Sequence, residues 1–462
     1  MTRTVGGGVE ELRARLSGTV VCPADPDYDD ARRVWNADID RRPAVIARCA
    51  SAADVSAAIT FARTEGLEIA VRAGAHNSAG LCSVDDGFVV DLSALNAVTV
   101  DPVAKRARVG GGALLGDLDA ATQAHGLAVP AGLVSHTGVA GLTLGGGMGW
   151  LTRLHGLSID NLVSAEVVTA DGEIRRASAT EHPDLYWAIR GGGGNFGVVT
   201  EFEFQLHEAG PMIHFGLLFW ALDDGPAMLR LAREVIPGLP QSVNVLVAAL
   251  NAPPAPFVPE QHHFRPGYAL VVTGFGDPAE HTGALDKLRA AVPPLFEFVT
   301  PMPYVNLQQL LDEANAWGVH CYEKGCYAAD FSDGVITVID EHLRRKASPM
   351  SAMLCYRLDG AYSAVGEDDT AFGGGRSPRY ALFTVGITPT PDGLPAEREW
   401  VRGLWDALQP HALRGGYVNG TSEFDRARVA DTYGAKYDRL REIKRRYDPD
   451  NVFHRNANIP PA

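Results

Sequence analysis

Apolar and polar residues recur along this chain with two different periods. Between residues 44 and 210, short apolar runs of strand length alternate with stretches whose apolar residues fall at helical spacing. Residues 44–49, Ala-Val-Ile-Ala-Arg-Cys, read as a strand. Ser51 then caps a predicted helix over 52–65, with Val55, Ile59 and Phe61 near one face. Strands are predicted at 67–71 and 88–92. This alternation predicts α/β packing with mixed sheet order. Residues 211–410 differ. Runs at 214–220, 243–250, 268–272 and 380–385 are β-rich, and Pro-rich stretches at 252–259, 292–303 and 388–395 punctuate them. They predict a second domain, a mainly antiparallel sheet flanked by helices. Residues 1–35 read as a helix (Val9 to Leu16) and a connector. Residues 411–462 are polar, carry Gly and Asn, and are expected to return to the first domain, 36–210. The fold class is α+β.

Composition narrows the function. The 462 residues are 46% hydrophobic and 21% charged, ordinary values for a globular protein large enough for two or three units. The net charge of -15 argues against nucleic acid or anionic membrane as a partner, since both require clustered Lys and Arg. The N-terminal residues lack the apolar core of a signal peptide, and no run of 18 apolar residues exists, so a cytoplasmic chain is expected. The six cysteines are scattered without metal-ligand spacing and are expected to be reduced thiols. No metal site is predicted.

Candidate chemistry is concentrated where glycine is. Residues 71–80 read Val-Arg-Ala-Gly-Ala-His-Asn-Ser-Ala-Gly, a turn of small residues around His76. Successive backbone N–H groups in such a turn form an anion cradle, and Arg72 would add a fixed charge. Alone, the segment is equally a tight turn bearing a solvated histidine. A second cluster runs from Pro130 to Gly149, including Gly138-Val139-Ala140-Gly141 and Gly145-Gly146-Gly147-Met148-Gly149. Backbone must approach something closely there, either a flat extended cofactor with a phosphate tail or the N-terminus of a helix. A third, Arg190-Gly191-Gly192-Gly193-Gly194-Asn195-Phe196-Gly197, leads into a strand. None fits the dinucleotide fingerprint of a nicotinamide-binding fold, and no Walker A loop exists.

Together these segments resemble the vanillyl-alcohol-oxidase/PCMH flavoprotein superfamily, in its berberine-bridge-enzyme-like branch. The His76 loop resembles the family's phosphate loop, and the second cluster its second flavin loop. Leu185-Tyr186-Trp187-Ala188-Ile189-Arg190 with the third cluster resembles the branch's most specific run. Tyr447-Asp448-Pro449-Asp450-Asn451-Val452-Phe453 and Asn456-Ala457-Asn458-Ile459 resemble its terminal signature. The resemblance implies a PCMH-type FAD-binding domain of two α/β subdomains, FAD joined through its 8α-methyl group to His76, and a substrate domain over 211–410. It implies FAD contacts from Arg72, Ala73, Gly74, Ala75, Asn77, Ser78 and Gly80. Further contacts would come from Val134, His136, Thr137, Gly138, Gly141, Leu142, Gly145, Gly147 and Gly149. Asn161, Val199, Tyr417, Asn419, Asn456 and Asn458 complete the set. Thr137 and Leu142 stand where members control oxygen access.

Two departures matter. Members with two covalent links carry a cysteine where this chain has Val134, so a single link at His76 is expected. The tyrosine that acts as a base in some members is replaced by Gly420, after Tyr417-Val418-Asn419. Candidate catalytic residues are therefore Tyr417, Tyr322 and Tyr356, with Trp317, His320 and Glu323 as further pocket candidates. The implied activity is oxidation, or oxygenation, of an alcohol, phenol or polyketide-type substrate, with hydride passing to flavin N5 and O2 as acceptor. A flavin dehydrogenase feeding a carrier and a non-catalytic flavin binder are the alternatives. A monomer or homodimer is expected.

Overall fold

The computed structural model describes residues 8–462 and carries three principal sheets. The first has the strand order Thr19–Val21, Val45–Arg48, Phe88–Asp91, Ile69–Arg72. Its last three strands run parallel. Parallel neighbours need a crossover, and the helix Ala52–Thr64 provides one. It begins where Ser51 Oγ accepts the Asp54 N–H and buries Val55, Ala58, Ile59 and Ala62. The strand Phe88–Asp91 is buried at every position, which is why it reads Phe-Val-Val-Asp rather than alternating. The second sheet is antiparallel, in the order Val98–Asp101, Arg106–Gly110, Val198–Gln205, Leu162–Val168, Ile174–Ser178. The segment read as a connector is built into this half: Thr19–Val21 pairs with Val45–Arg48.

The third sheet has eight strands, all antiparallel to their neighbours. Their order is Phe296–Pro303, Met212–Ala221, Pro266–Gly274, Val243–Asn251, Ala352–Leu358, Arg379–Thr388, His320–Ala328, Ala412–Leu413. Helices Gly225–Val235, Pro278–Ala290, Asp333–Leu343 and Leu394–Leu408 bury one face of it. Three strands near its far edge show a clean alternation. Tyr322, Met353, Cys355, Tyr380 and Leu382 pack under the helices. Glu323, Leu354, Tyr356, Phe383 and Val385 face the other way, toward the N-terminal half.

The structure extends the sequence reading at two places. Strands at 320–328 and 352–358 were not predicted, and residues 296–303 form a strand where a Pro-rich break was expected. That strand lies at the sheet edge, with Pro301 opposite His214 and Pro303 opposite Met212. An edge strand tolerates proline because one row of its N–H groups has no partner strand to serve.

The C-terminal segment returns to the N-terminal half. Leu440, Ile443 and Tyr447 of the helix Tyr437–Tyr447 join the core beneath the second sheet. Lys444 is fully buried, and its Nζ donates to Asp448 Oδ2 (2.6 Å), Asn195 O (2.7 Å) and Phe453 O (2.9 Å). A buried ammonium is tolerated only when its donors are satisfied, and here all three are. Asn195, from the third glycine cluster, completes the clamp by accepting the Ile459 N–H and donating to Ala457 O. Among the described residues no helix is long and apolar enough to cross a membrane.

Candidate active site

The strand Ile69–Arg72 ends in the loop that carries His76. Ala75 sits in the left-handed region (φ 54°), and its carbonyl accepts the Trp35 N–H at 3.0 Å. This turn delivers the His76 ring to Trp35, on which it stacks with centroids 4.4 Å apart and planes 18° apart. His76 Nε2 is 2.9 Å from His136 Nδ1, a hydrogen-bonded pair. Burial first, then the neighbouring His136, lowers the His76 pKa to about 3. The ring is therefore neutral at neutral pH, and Nδ1 is the nitrogen that His136 leaves unengaged. The first two glycine loops cross at Gly74 and Gly138, where a Cβ on either would overlap the backbone nitrogen of the other.

These loops and the open face of the eight-stranded sheet enclose a cavity of about 400 Å³. His76, Thr137, Gly141, Gly194, Tyr417 and Asn456 stand on the loop side; Glu323, Leu354, Tyr356, Phe383 and Val385 stand on the sheet side. Two observations show that the cavity is shaped for a ligand. A Cβ at Gly141 or Gly194 would meet no protein atom within 4 Å, so at these lining positions the bare backbone makes room for something other than protein. Of the lining residues, Asn456 has its Oδ1 buried without a partner. Buried polar atoms are ordinarily paired, so this one is free for a polar group of a ligand.

Residues 43–178 match the FAD binding domain family, and residues 416–460 match the berberine and berberine like family. The chain is 32% identical to (R)-6-hydroxynicotine oxidase of Paenarthrobacter nicotinovorans, over 96% of this chain and 97% of that protein. It is 30% identical to an FAD-linked oxidoreductase of Dictyostelium discoideum, over 98% of this chain and 97% of that protein. The chain belongs to the berberine-bridge-like FAD-linked oxidoreductases. The crystal structure of 6-hydroxy-D-nicotine oxidase from Arthrobacter nicotinovorans matches with a TM-score of 0.84 and 29% identity, covering 97% of this chain and 98% of that one. Chitooligosaccharide oxidase, at 23% identity, shares the fold with a TM-score of 0.84, covering 98% and 99%. This berberine-bridge-like enzyme is thus an FAD-dependent oxidoreductase with the PCMH-type fold.

The structure brings many of the candidate residues to this cavity and not others. Ala73, Gly74, Ala75, His76 and Asn77 of the first loop line it, as do Val134, Thr137, Gly138, Gly141 and Leu142 of the second. Val199, Tyr356, Tyr417, Asn419 and Asn456 line it too. His136 lies behind His76 as its hydrogen-bond partner. Gly145, Gly147 and Gly149 are set back from the cavity: a Cβ there would strike the Asn419 side chain, Ser158 Oγ and Ala131 O. Those glycines serve loop packing. Gly80 (φ 69°) likewise packs on Ile39.

Arg72, expected beside a phosphate, is placed elsewhere. Its guanidinium donates to Ala31 O and lies 3.8 Å from Asp91, the residue opposite it in the parallel pairing. Asn161 braces a loop, donating to His155 O and Leu157 O (2.9 Å each) and bonding His207 Nε2. Asn458 has a buried Oδ1 but does not reach the cavity wall. Ser78 faces an adjoining cleft. Tyr322 points to the helix side of its strand, where Arg402 Nε donates to its hydroxyl at 3.0 Å. Trp317 is 40% exposed, and His320 lies 3.9 Å from Asp38.

Among the described lining residues Glu323 is the one acid. Burial pushes its pKa up to about 7, opposed by a hydrogen bond from Ser78. Burial also raises Tyr417, although its oxygen accepts from Gly147 N (3.2 Å) and Asn419 Nδ2 (3.3 Å). Tyr356 is raised further, again by burial. The sequence grouped Glu323 with its neighbours; the signal that separates them is the alternation of Cys321, Glu323, Gly325 and Tyr327 against Tyr322 and Lys324.

Proposed function

We propose that the enzyme oxidises a small organic substrate bearing a hydroxyl, an amine or an activated C–H beside a ring or carbonyl, with FAD attached by one bond to His76. One observation carries the reading: His76 and Glu323 line the same cavity, one among glycine-rich loops and the other on the opposing sheet. Bound FAD supplies the electron acceptor, taking two electrons from the substrate and passing them to O2. Trp35 and His136 hold the His76 ring in one orientation and in the neutral form needed for bonding through nitrogen. Val134, in place of a cysteine, leaves His76 as the single attachment.

On the sheet side, Glu323 takes the substrate's acidic proton. A pKa of about 7 makes its carboxylate abundant at neutral pH while keeping it basic enough to accept. Tyr356 and Tyr417 stay protonated and orient the substrate as hydrogen-bond donors. Leu354, Phe383 and Val385 supply apolar walls that favour a ring. The six cysteines are free thiols, which supports a reducing, cytoplasmic location.

The test is acid precipitation. Flavin should stay with the wild-type pellet and on a denaturing gel, and should pass to the supernatant in His76→Ala. Flavin retained in the His76→Ala pellet would place the bond at another residue.

A further inference from the structure

A second cleft, of about 230 Å³, lies beside the flavin cavity and is lined by Asn36, Ser78, Tyr322, Arg402, Ser422 and Glu423. It reaches solvent: the side chains of Arg402 and Glu423 are 51% and 36% exposed. What separates cleft from cavity is the edge of the strand His320–Ala328. Its outer neighbour, Ala412–Leu413, pairs only with Tyr327 and Ala328, so the strand's earlier residues have no strand beside them. Unpaired edge groups need other partners. Ser422 provides them at Glu323: the Glu323 N–H donates to Ser422 Oγ (3.0 Å), and the Ser422 N–H donates to Glu323 O (2.9 Å). Ser422 Oγ also lies 3.1 Å from Ser78 Oγ, and Ser78 is the neighbour whose hydroxyl lowers the Glu323 pKa. A row of one carboxyl and two hydroxyls therefore passes from the flavin cavity around the sheet edge into the cleft.

We propose that Ser78 and Ser422 form a proton relay that returns the proton taken up by Glu323 to solvent in the second cleft. The proposal rests on Glu323 being the proton acceptor. In one passage the Glu323 carboxyl gives its proton to Ser78 Oγ, Ser78 gives its own to Ser422 Oγ, and Ser422 gives its own to a water in the cleft. Three O–H bonds break and three form, no hydroxyl is left charged, and the carboxylate is restored. The route stays open when substrate fills the cavity, because neither serine lines it. Glu423 is not the final acceptor. Its own burial is outweighed by hydrogen bonds from Lys324, Tyr322 and Arg402, which hold it ionised with a pKa of about 2. The groups facing Glu323 are Tyr356 on the same sheet wall, Tyr417 across the cavity and Cys321 on its own strand, and burial keeps all three protonated near neutrality.

The flavin of the holoenzyme is a reporter for this path without any substrate, because ionisation of a carboxyl in the same cavity shifts its absorption. A stopped-flow jump from about pH 6 to about pH 8 should give a wild-type shift complete within the mixing time. Ser422→Ala should slow it by about 10²-fold, the scale of removing a positioned proton-transfer group. The midpoint of the equilibrium titration should stay in place, and Ser422→Thr, which keeps the hydroxyl, should restore the speed. Ser78→Ala should slow the shift equally and raise the midpoint, since a hydrogen bond to the carboxylate is lost; it carries the test if Ser422→Ala does not fold. Wild-type speed in either alanine variant overturns the relay. Glu323→Gln should abolish the transition; if it does not, Glu323 is not the titrating group, and the acceptor reading falls along with the relay.

Discussion

The loop wall of the flavin cavity is shaped by backbone, whereas the sheet wall opposite is shaped by alternate side chains. On the loop side the decisive positions are glycines, and they divide by what a Cβ would meet: protein at Gly74, Gly138, Gly145 and Gly149, empty cavity at Gly141 and Gly194. On the sheet side the pleat sets only which residues face the cavity, and those are Glu323, Tyr356, Phe383 and their neighbours. A wall fixed by steric exclusion of side chains tolerates little change, while one built on pleat geometry accepts new side chains at no cost to the fold. On the proposed reading, cofactor binding sits on the first wall and substrate choice on the second.

Substitutions can break or sharpen this contrast. The largest effect is expected from Gly74→Val. Its side chain would overlap the Gly138 backbone, which has nowhere to go, so soluble protein and flavin per chain should both fall to background. Next is Glu323→Gln, isosteric and harmless to the sheet. It should slow flavin reduction by any donor that reduces the wild type, by about 10²- to 10⁴-fold. In the wild type that rate should climb with pH through about 7, as the carboxyl ionises. A loss under about tenfold would reduce the sheet wall to a matter of shape.

A subtler division is expected within the loops. Gly141→Ala should leave the melting temperature of the flavin-free protein unchanged, since its Cβ meets no protein, yet lower flavin content several-fold. Gly145→Ala should do the reverse, lowering the melting temperature first.

The smallest effect tests the seam between the halves, where Asp119 on the helix Leu115–Gln123 accepts from Gln308 at 3.1 Å. Burial raises the Asp119 pKa to about 7, with the Gln308 bond opposing. The folded state then holds a proton that the unfolded state has released, so stability is lost as pH rises from the ordinary carboxyl range through about 7. Asp119→Asn should raise the melting temperature by a few degrees at about pH 8 and hardly at all at about pH 5.

The loop wall was legible because glycine runs and one histidine are rare enough to stand out in the sequence. The pairing of His76 with Trp35 was not, since the contact joins residues whose patterns are unrelated. Arg72 shows the limit of reading charge locally. Its place beside Ala73-Gly74 suggested an anion, and the parallel register with Asp91 fixed it otherwise. On the sheet wall, Tyr322 and Glu323 are adjacent and both chemically capable. Only the face each strand turns to the helices separates them, and that depends on partners far away in the chain. The strand 296–303 stayed hidden because proline is excluded from strand interiors but not from edges.

The clamp made by Asn195 and Lys444 has a consequence for how the enzyme is made. The bond from Ile459 to Asn195 joins residues 264 positions apart, and the whole eight-stranded sheet is encoded between them. A nascent chain emerging from the ribosome therefore has the whole eight-stranded sheet synthesised while the glycine loops still lack their final support. Cofactor loading is on this account expected to follow translation, and a prematurely released polypeptide would lack the finished clamp.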